Sequence, residues 1–264
     1  MVIHNMNILE EYILSKPSNQ NILDIFDGEW SSKLPEKYGL HTRPGTASLF
    51  EDARIAWLEE VFGPVSGLDI LELGPLEGGH SYMLQERGAN SVTSIEANTR
   101  AFLKCLCIKE VLSLNKVKFM LGDFSSYLEE TDTVYDLVFA SGVLYHMPNP
   151  VLLLKNISKV TSKLFLWTHY YDKDIVDANA DLANKFSGMK SIRVDGENYA
   201  LAEQHYNEAL GWSGFCGGGK PTSMWMTKDS LIAALNDFGF TQLTFGFDGK
   251  DHPNGPAMAI CASK

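Results

Sequence analysis

Leu68-Asp69-Ile70-Leu71-Glu72-Leu73 is an apolar run that stops at Gly74-Pro75-Leu76-Glu77-Gly78-Gly79. It reads as a buried strand breaking into a tight glycine loop. A helix is expected over 79–87, with Gly88 where a C-cap glycine would stand. Such a loop lets backbone approach a ligand where no Cβ would fit. The next apolar run, 91–95, ends in Glu96, and that spacing suits an acid that hydrogen-bonds a ribose. An adenosine-containing cofactor is expected.

The residues between the glycines narrow the choice of cofactor. A dinucleotide fingerprint needs a second glycine two residues after the first, and that position is Leu76. A lysine followed by Ser or Thr, as in a P-loop, is also missing. Both features argue against a pyrophosphate or triphosphate. The pattern Glu72-Leu73-Gly74-x-x-x-Gly78 instead resembles the first motif of class I S-adenosylmethionine (SAM) methyltransferases. Ser94-Ile95-Glu96-Ala97-Asn98 resembles their ribose motif. Leu121-Gly122-Asp123-Phe124 resembles the segment whose acid and following residue hold the adenine. Tyr135-Asp136-Leu137-Val138-Phe139-Ala140-Ser141 resembles their fourth strand. Gly142-Val143-Leu144-Tyr145-His146, with Pro148 and Pro150 after it, is similar to a segment of bacterial enzymes that modify the tRNA wobble uridine, and of their relatives. Gly28-Glu29-Trp30 and Arg43-Pro44-Gly45 match a tryptophan and a proline-glycine turn found upstream in those relatives. The resemblance covers residues 28–170 and is specific to the superfamily, not to a substrate.

It implies an α/β fold, a doubly wound, seven-stranded, mostly parallel sheet, with SAM as cofactor. Glu72, Gly74, Pro75, Gly78, Glu96, Ala97, Asp123, Phe124 and Ser141 are the implied cofactor contacts, and Arg43 could pair with the cofactor carboxylate.

The alternation along the chain supports the same architecture. Asn98 is a good cap for a helix through Leu114, and Asn149 caps a helix over 150–160 with Pro150 at its first position. Strands are expected at 117–121, 136–140 and 163–168. Such alternation forces a parallel sheet with helices on both faces. Thr227 caps a later helix that ends at Gly239, and strands at 241–247 and 256–262 close the domain as a hairpin. Residues 1–50 form an N-terminal helical or irregular extension, with a helix expected at 8–14; residues 51–264 form the catalytic domain, opening on a helix at 50–62. Within it, 172–225 shows no clean sheet pattern and reads as a cap-like insertion, since long loops are usually functional.

Composition bounds the function classes. The chain has 264 residues, is 45% hydrophobic and carries a net charge of −11. No apolar run approaches a membrane span, and no signal peptide is read at the N-terminus. Cys105, Cys107, Cys216 and Cys261 form no CxxC pair, so reduced structural cysteines in a cytoplasmic protein are expected. A nucleic-acid binder usually shows a basic face. Here only Lys104, Lys109, Lys116 and Lys118 cluster, which makes a nucleic-acid partner disfavoured but not excluded.

For chemistry, His146 follows the fourth strand and His169 ends the fifth, and either could accept a proton from a hydroxyl or amine. Each could equally brace its loop. Trp30, Tyr145, Tyr170, Tyr206 and Trp212 are candidate acceptor contacts, and His205 a weaker one. Asp172, Asp174 and His169 have no fixed ligand spacing, so no metal is assigned. The reading is a SAM-dependent methyltransferase that O- or N-methylates a small or medium-sized acceptor. Its rivals are an RNA-modifying transferase, a non-catalytic SAM-fold binding protein and a nicotinamide oxidoreductase. Oligomeric state is not readable.

Overall fold

Residues 12–211 and 214–264 are described by a computed structural model of the chain. Ahead of the main sheet lie α1 (Asn19–Asp24), a parallel pair β1 (Trp30–Ser32) and β2 (Pro44–Ala47), and α2 (Ala53–Phe62), which is capped by the Asp52 carboxylate. The expected helix at 8–14 falls mostly outside the described residues; Tyr12, Ile13 and Leu14 are not helical.

The apolar run becomes β3 (Asp69–Leu73), followed by α3 (Gly79–Glu86). Gly88 closes α3 with φ of +90°, a conformation that only glycine adopts without cost. Then follow β4 (Ser91–Glu96), α4 (Thr99–Val111), β5 (Val117–Leu121), α5 (Phe124–Glu130), β6 (Leu137–Ser141), α6 (Pro150–Val160) and β7 (Lys163–His169). Side chains of Asn98, Asp123 and Asn149 cap α4, α5 and α6 by accepting backbone N–H bonds. This gives each βα unit a fixed stop and start.

After β7 come α7 (Lys173–Asp177), α8 (Ala180–Ala183), β8 (Phe186–Val194), β9 (Glu197–His205) and β10 (Thr222–Met226). Helix α9 (Lys228–Asp237) and strands β11 (Gln242–Gly249) and β12 (Ala257–Ser263) complete the fold. The main sheet has seven strands in the order β11-β12-β7-β6-β3-β4-β5. Only β12 runs against the rest. Strand order reverses between β3 and β6, so the crevice outside their carboxyl ends is the ligand position of this architecture.

Two cores cover the sheet. Along β7 the pleat sends Leu164 and Leu166 to one and Phe165 to the other. Helices α6 and α9 close the first through Leu154, Ile157, Leu231 and Leu235. Helices α2, α3 and α4 close the second, joined by Leu23, Phe26 and Trp30 from the N-terminal segment. Phe139 stacks on Phe165 at 4.5 Å between ring centres inside the second core. Each such buried ring contributes about 1.5–3 kcal/mol.

The segment 172–225 departs from the sequence reading. It holds a three-stranded antiparallel sheet, β10-β9-β8. Its hairpin turns on Asp195-Gly196, with φ of +53° and +96°, and pairs Val194 with Glu197. Asp-Gly between two strands is the strongest short hairpin signal, and the sequence carries it openly. The strands were hidden because β8 is an exposed edge with no apolar alternation, Gly188-Met189-Lys190-Ser191 lying wholly on the surface. The small sheet sits beside the carboxyl ends of the main sheet, where the Met224 amide donates to the Met147 carbonyl at 3.0 Å. Among the described residues no helix is long and apolar enough to cross a membrane.

Candidate active site

Three left-handed residues shape the loop after β3: Gly74, Leu76 and Gly78, with φ of +65°, +57° and +76°. A Cβ on Gly74 would lie 2.5 Å from Val143 Cγ1, and one on Gly78 would lie 3.1 Å from Phe119 Cζ. The Gly74 amide donates to the Ile95 carbonyl at 3.0 Å, which ties the loop to the end of β4. Glu96, the last residue of β4, accepts from the Leu76 amide at 3.1 Å and the Asn98 amide at 2.8 Å. Burial raises its pKa, and these amides oppose the rise. Each carboxylate oxygen keeps a second lone pair for a ligand hydroxyl.

Glu72 lies behind the loop, 1% exposed. Its Oε2 accepts from Ser94 Oγ at 2.7 Å and from Ser81 Oγ, while its Oε1 has no partner among the described residues. Burial raises this carboxyl too. The Cβ-free turn, the acid at its rim and the orphaned acceptor behind it fit a ligand that brings a ribose and a positive charge.

Beside the loop, the ends of β6 and β7 carry a cluster of aromatic rings and histidines. Tyr145 packs 4.1 Å from His146 and 4.6 Å from His169, between ring centres. Trp225, from β10, stacks on His169 at 4.9 Å. His146 Nδ1 shares a 2.8 Å hydrogen bond with the Tyr206 hydroxyl. His169 Nδ1 faces the carbonyl oxygens of Gly255 at 2.9 Å and Pro256 at 3.2 Å. Carbonyls only accept, so Nδ1 carries the hydrogen and Nε2 keeps its lone pair.

Burial, with a smaller push from His169, lowers His146 to about 3. Burial and neighbouring His252 lower His169 to about 4. Both are neutral at pH 7.

Arg54 adds a cation to the same corner. Its guanidinium lies 4.7 Å over the Trp167 ring and is paired with Asp52, which also meets His80 Nε2 at 2.8 Å. Burial alone would raise Asp52, but hydrogen bonds from His80 and Arg54 outweigh it and hold the carboxyl well below its usual range. A cleft of about 500 Å³ between α7, α8 and the 250–255 turn reaches this cluster through His252 and Gly255. Another, of about 420 Å³, lies by Asp136 and Lys163 at the opposite ends of the strands. Among the described residues no three His, Cys, Asp or Glu side chains are grouped to hold a metal ion.

The fold therefore brings Gly74, Pro75, Glu96, Ala97, Ser141, Tyr145, His146 and His169 to adjacent strand ends. Asp123 is there as well, but its carboxylate caps α5 through the Ser125 amide. Phe124 turns its ring into the core, leaving only its backbone for a ligand.

Three expectations are corrected. Trp30 lines no pocket: it is 1% exposed, and its Nε1 donates to the Leu23 carbonyl at 2.9 Å. Arg43 is an exposed residue whose guanidinium grips both oxygens of Asp27 at 2.7 Å. Tyr170 is buried in the α6–α9 core, on the face opposite His169, and its hydroxyl donates to Asp248. Tyr206 does meet His146; Trp212 lies outside the described residues. His205 has its Nε2 buried without a partner. Arg54, Trp225 and His252 were not anticipated, because no local pattern marks them and only the tertiary fold brings them together.

Comparison with known proteins agrees with this geometry. Residues 64–213, more than half of the chain, match a family described as a methyltransferase domain. The tRNA U34 carboxymethyltransferase of Campylobacter hominis is 27% identical over 116 residues, 43% of this chain and 40% of that enzyme. The chain thus matches well under half the length of that relative. A solved structure of the N-terminal domain of EvdMO1, in the presence of S-adenosylhomocysteine (SAH) and D-fucose, superposes with a TM-score of 0.70 at 21% identity. That match covers 93% of this chain and 94% of the other. Magnesium protoporphyrin IX methyltransferase from Synechocystis PCC 6803, with bound SAH, gives a TM-score of 0.54 at 18% identity over 81% of each chain. At these identities the two structures speak to the fold.

Sheet order, glycine loop and strand-end acids are those of the class I methyltransferase fold. The chain belongs to the family described as a methyltransferase domain.

Proposed function

We propose that this enzyme O- or N-methylates a small or medium-sized acceptor held against the Tyr145–His146–His169 cluster. The observation that carries the reading is the pair of neutral histidines at the ends of β6 and β7, His146 half-buried and His169 buried, next to the glycine loop. Bound SAM supplies a methyl group already activated by its sulfonium. The chain's residues then have three tasks: orient, exclude water and take a proton.

Gly74 and Gly78 carry no Cβ, and with Pro75 between them they turn the loop's backbone toward the cofactor. Glu96, with Ala97 beside it, holds the ribose, and Asp123 with the Phe124 amide faces the adenine. Glu72 places an unsatisfied carboxyl oxygen behind the methionyl end. In place of Arg43, Arg54 is the cation suited to a carboxylate, because Asp52 uses its Nε and Nη2 and leaves Nη1 free of side-chain partners. His146 and His169 accept the acceptor's proton as its oxygen or nitrogen engages the methyl. Their low basicity suits a hydrogen bond that strengthens during transfer rather than prior deprotonation. Tyr145, Tyr206 and Trp225 wall the chamber.

Residues 172–225 act as the cap and residues 1–50 as a supporting extension. The Tyr206 bond to His146 and the Asn98 bond to the Phe215 carbonyl at 3.2 Å support the capping role. Four free cysteines suit a reducing compartment, so we place the enzyme in the cytoplasm. An RNA acceptor is the second reading, favoured by the Campylobacter relative and disfavoured by the net charge of −11.

Radiolabelled-methyl SAM offered with hydroxylated and amine-bearing small molecules, sugars among them, and separately with tRNA, is the test. Label is expected in a low-mass acceptor and to fall roughly 10²–10⁴-fold in His146→Ala. Label in tRNA alone contradicts the proposal.

A further inference from the structure

We propose that Glu77 is a positioning residue that locks the glycine loop to the N-terminal strand β1, so that cofactor binding and docking of that strand are coupled. This rests on reading the 74–78 loop as the cofactor cradle.

Glu77 sits between two left-handed residues, Leu76 and Gly78. Its side chain is 1% exposed. Oε1 accepts from the Ser31 amide at 2.9 Å and from Lys104 Nζ at 3.1 Å. Oε2 accepts from the Ser32 amide at 2.8 Å. A charge this deeply buried is tolerated only when paired and hydrogen-bonded, and these three donors meet that need. Lys104 also donates to the Glu29 carbonyl at 2.5 Å and lies 5.5 Å over the Trp30 ring. One turn earlier on α4, Arg100 pairs with the Glu29 carboxylate at 2.8 Å. The chain from Glu29 to Ser32 is thus gripped by the cradle on one side and by α4 on the other.

The loop needs such a grip. Leu76 bears a side chain in the left-handed region, which L residues adopt only at a cost. Two bonds hold Leu76 itself: its amide to Glu96 and its carbonyl to Cys105 Sγ at 3.5 Å. Glu77 is the next residue and the loop's only charged one. Freed from β1, it would draw water toward the loop, and Leu76 would relax toward ordinary backbone angles. The turn that sets the cradle, and the Leu76 amide's bond to Glu96, would then loosen. Lys37–Glu86, by contrast, is an exposed pair that touches no part of the loop.

Coupling of this kind is reciprocal: if β1 holds the cradle, a ligand in the cradle must hold β1. The experiment uses the full chain, SAH calorimetry and amide hydrogen exchange. In the wild type, SAH is expected to slow exchange at the Ser31 and Ser32 amides. Glu77→Gln keeps the shape but replaces one acceptor oxygen by a donor and removes the charge. It should weaken SAH binding by about tenfold or more, the loss expected when a charged hydrogen bond is removed. It should also abolish the SAH effect on Ser31 and Ser32. Lys104→Met, which leaves both amide bonds in place, should fall between. A purely structural glutamate would lower the melting temperature and leave SAH affinity alone. The proposal is overturned if Glu77→Gln binds SAH within twofold of wild type, or if exchange at Ser31 and Ser32 ignores SAH. Should Glu77→Gln fail to fold, wild-type exchange decides alone. Gly74→Val separates the two levels: tight SAH binding by that variant removes the cradle reading, whereas its loss beside normal binding by Glu77→Gln removes only the clamp.

Discussion

His169 illustrates how burial sets chemistry at a single residue. Its Nδ1 is committed to two carbonyls, and its ring lies between Trp225 and Tyr145. Burial strips water from the protonated ring and neighbouring His252 opposes its charge, so its pKa falls to about 4. The unfolded chain titrates near 6.5. Between those values the unfolded state binds a proton that the folded state refuses. Stability is therefore full above about pH 6.5 and declines as pH falls toward 4, by up to about 1.4 kcal/mol per pH unit for each such histidine. Urea melts at pH 7 and pH 5 should show the decline, and His169→Gln should reduce it; an equal decline in both proteins contradicts the assignment. Turnover in the same range should show no acid limb at 6.5, since neither histidine titrates there. The histidines were legible in the sequence from their places after two apolar runs. Arg54 was not, because its role depends on Trp167, more than a hundred residues away in the chain.

At the scale of elements, Asn98 does two jobs. Its Oδ1 caps α4 through the Ala101 amide at 3.0 Å, and its Nδ2 donates to the Phe215 carbonyl at 3.2 Å. Asn98→Ala should cost about 1 kcal/mol as a lost cap. Exchange over 214–217 should also quicken, which a cap mutation at Asn149 should not produce. Exchange over 214–217 identical to wild type would show that the bond to Phe215 holds nothing. A ligand-responsive cap further requires that these amides gain protection when SAH and acceptor bind. The main-sheet strands were readable because burial on both faces writes continuous apolar runs, and the expected bounds of β5 and α6 match those observed. The small sheet was not, since β8 is exposed from Ser187 to Ser191 and only Ile192 and Val194 pack on the core, too short a stretch for period-2 patterning. Its Asp195-Gly196 turn was the available signal. The pair β1–β2 escaped for a different reason: strands of three and four residues are too short for any periodicity.

For the whole molecule, charge and fold bear on different questions. A net charge of −11 opposes a phosphate backbone, whereas the sheet and loop determine the cofactor. Electrophoresis with tRNA at low salt should show no shift, and a shift that fades steeply with salt would support the RNA reading instead. The strand-helix alternation required a parallel sheet with helices on both faces, and the family resemblance implied its doubly wound order, which places the ligand at strand ends whatever the acceptor. The acceptor chamber could not, since its walls come from β6, β7, β10 and the 250–255 turn. The most direct test of the central claim, that the crevice between Gly74 and Glu96 holds SAM, is calorimetry of SAH and NAD against wild type and Gly74→Val. Wild type should bind SAH with roughly micromolar affinity and ignore NAD. The variant, whose Cβ would lie 2.5 Å from Val143, should stay folded and bind neither. Binding of NAD without SAH, or undiminished SAH binding by Gly74→Val, would contradict the account.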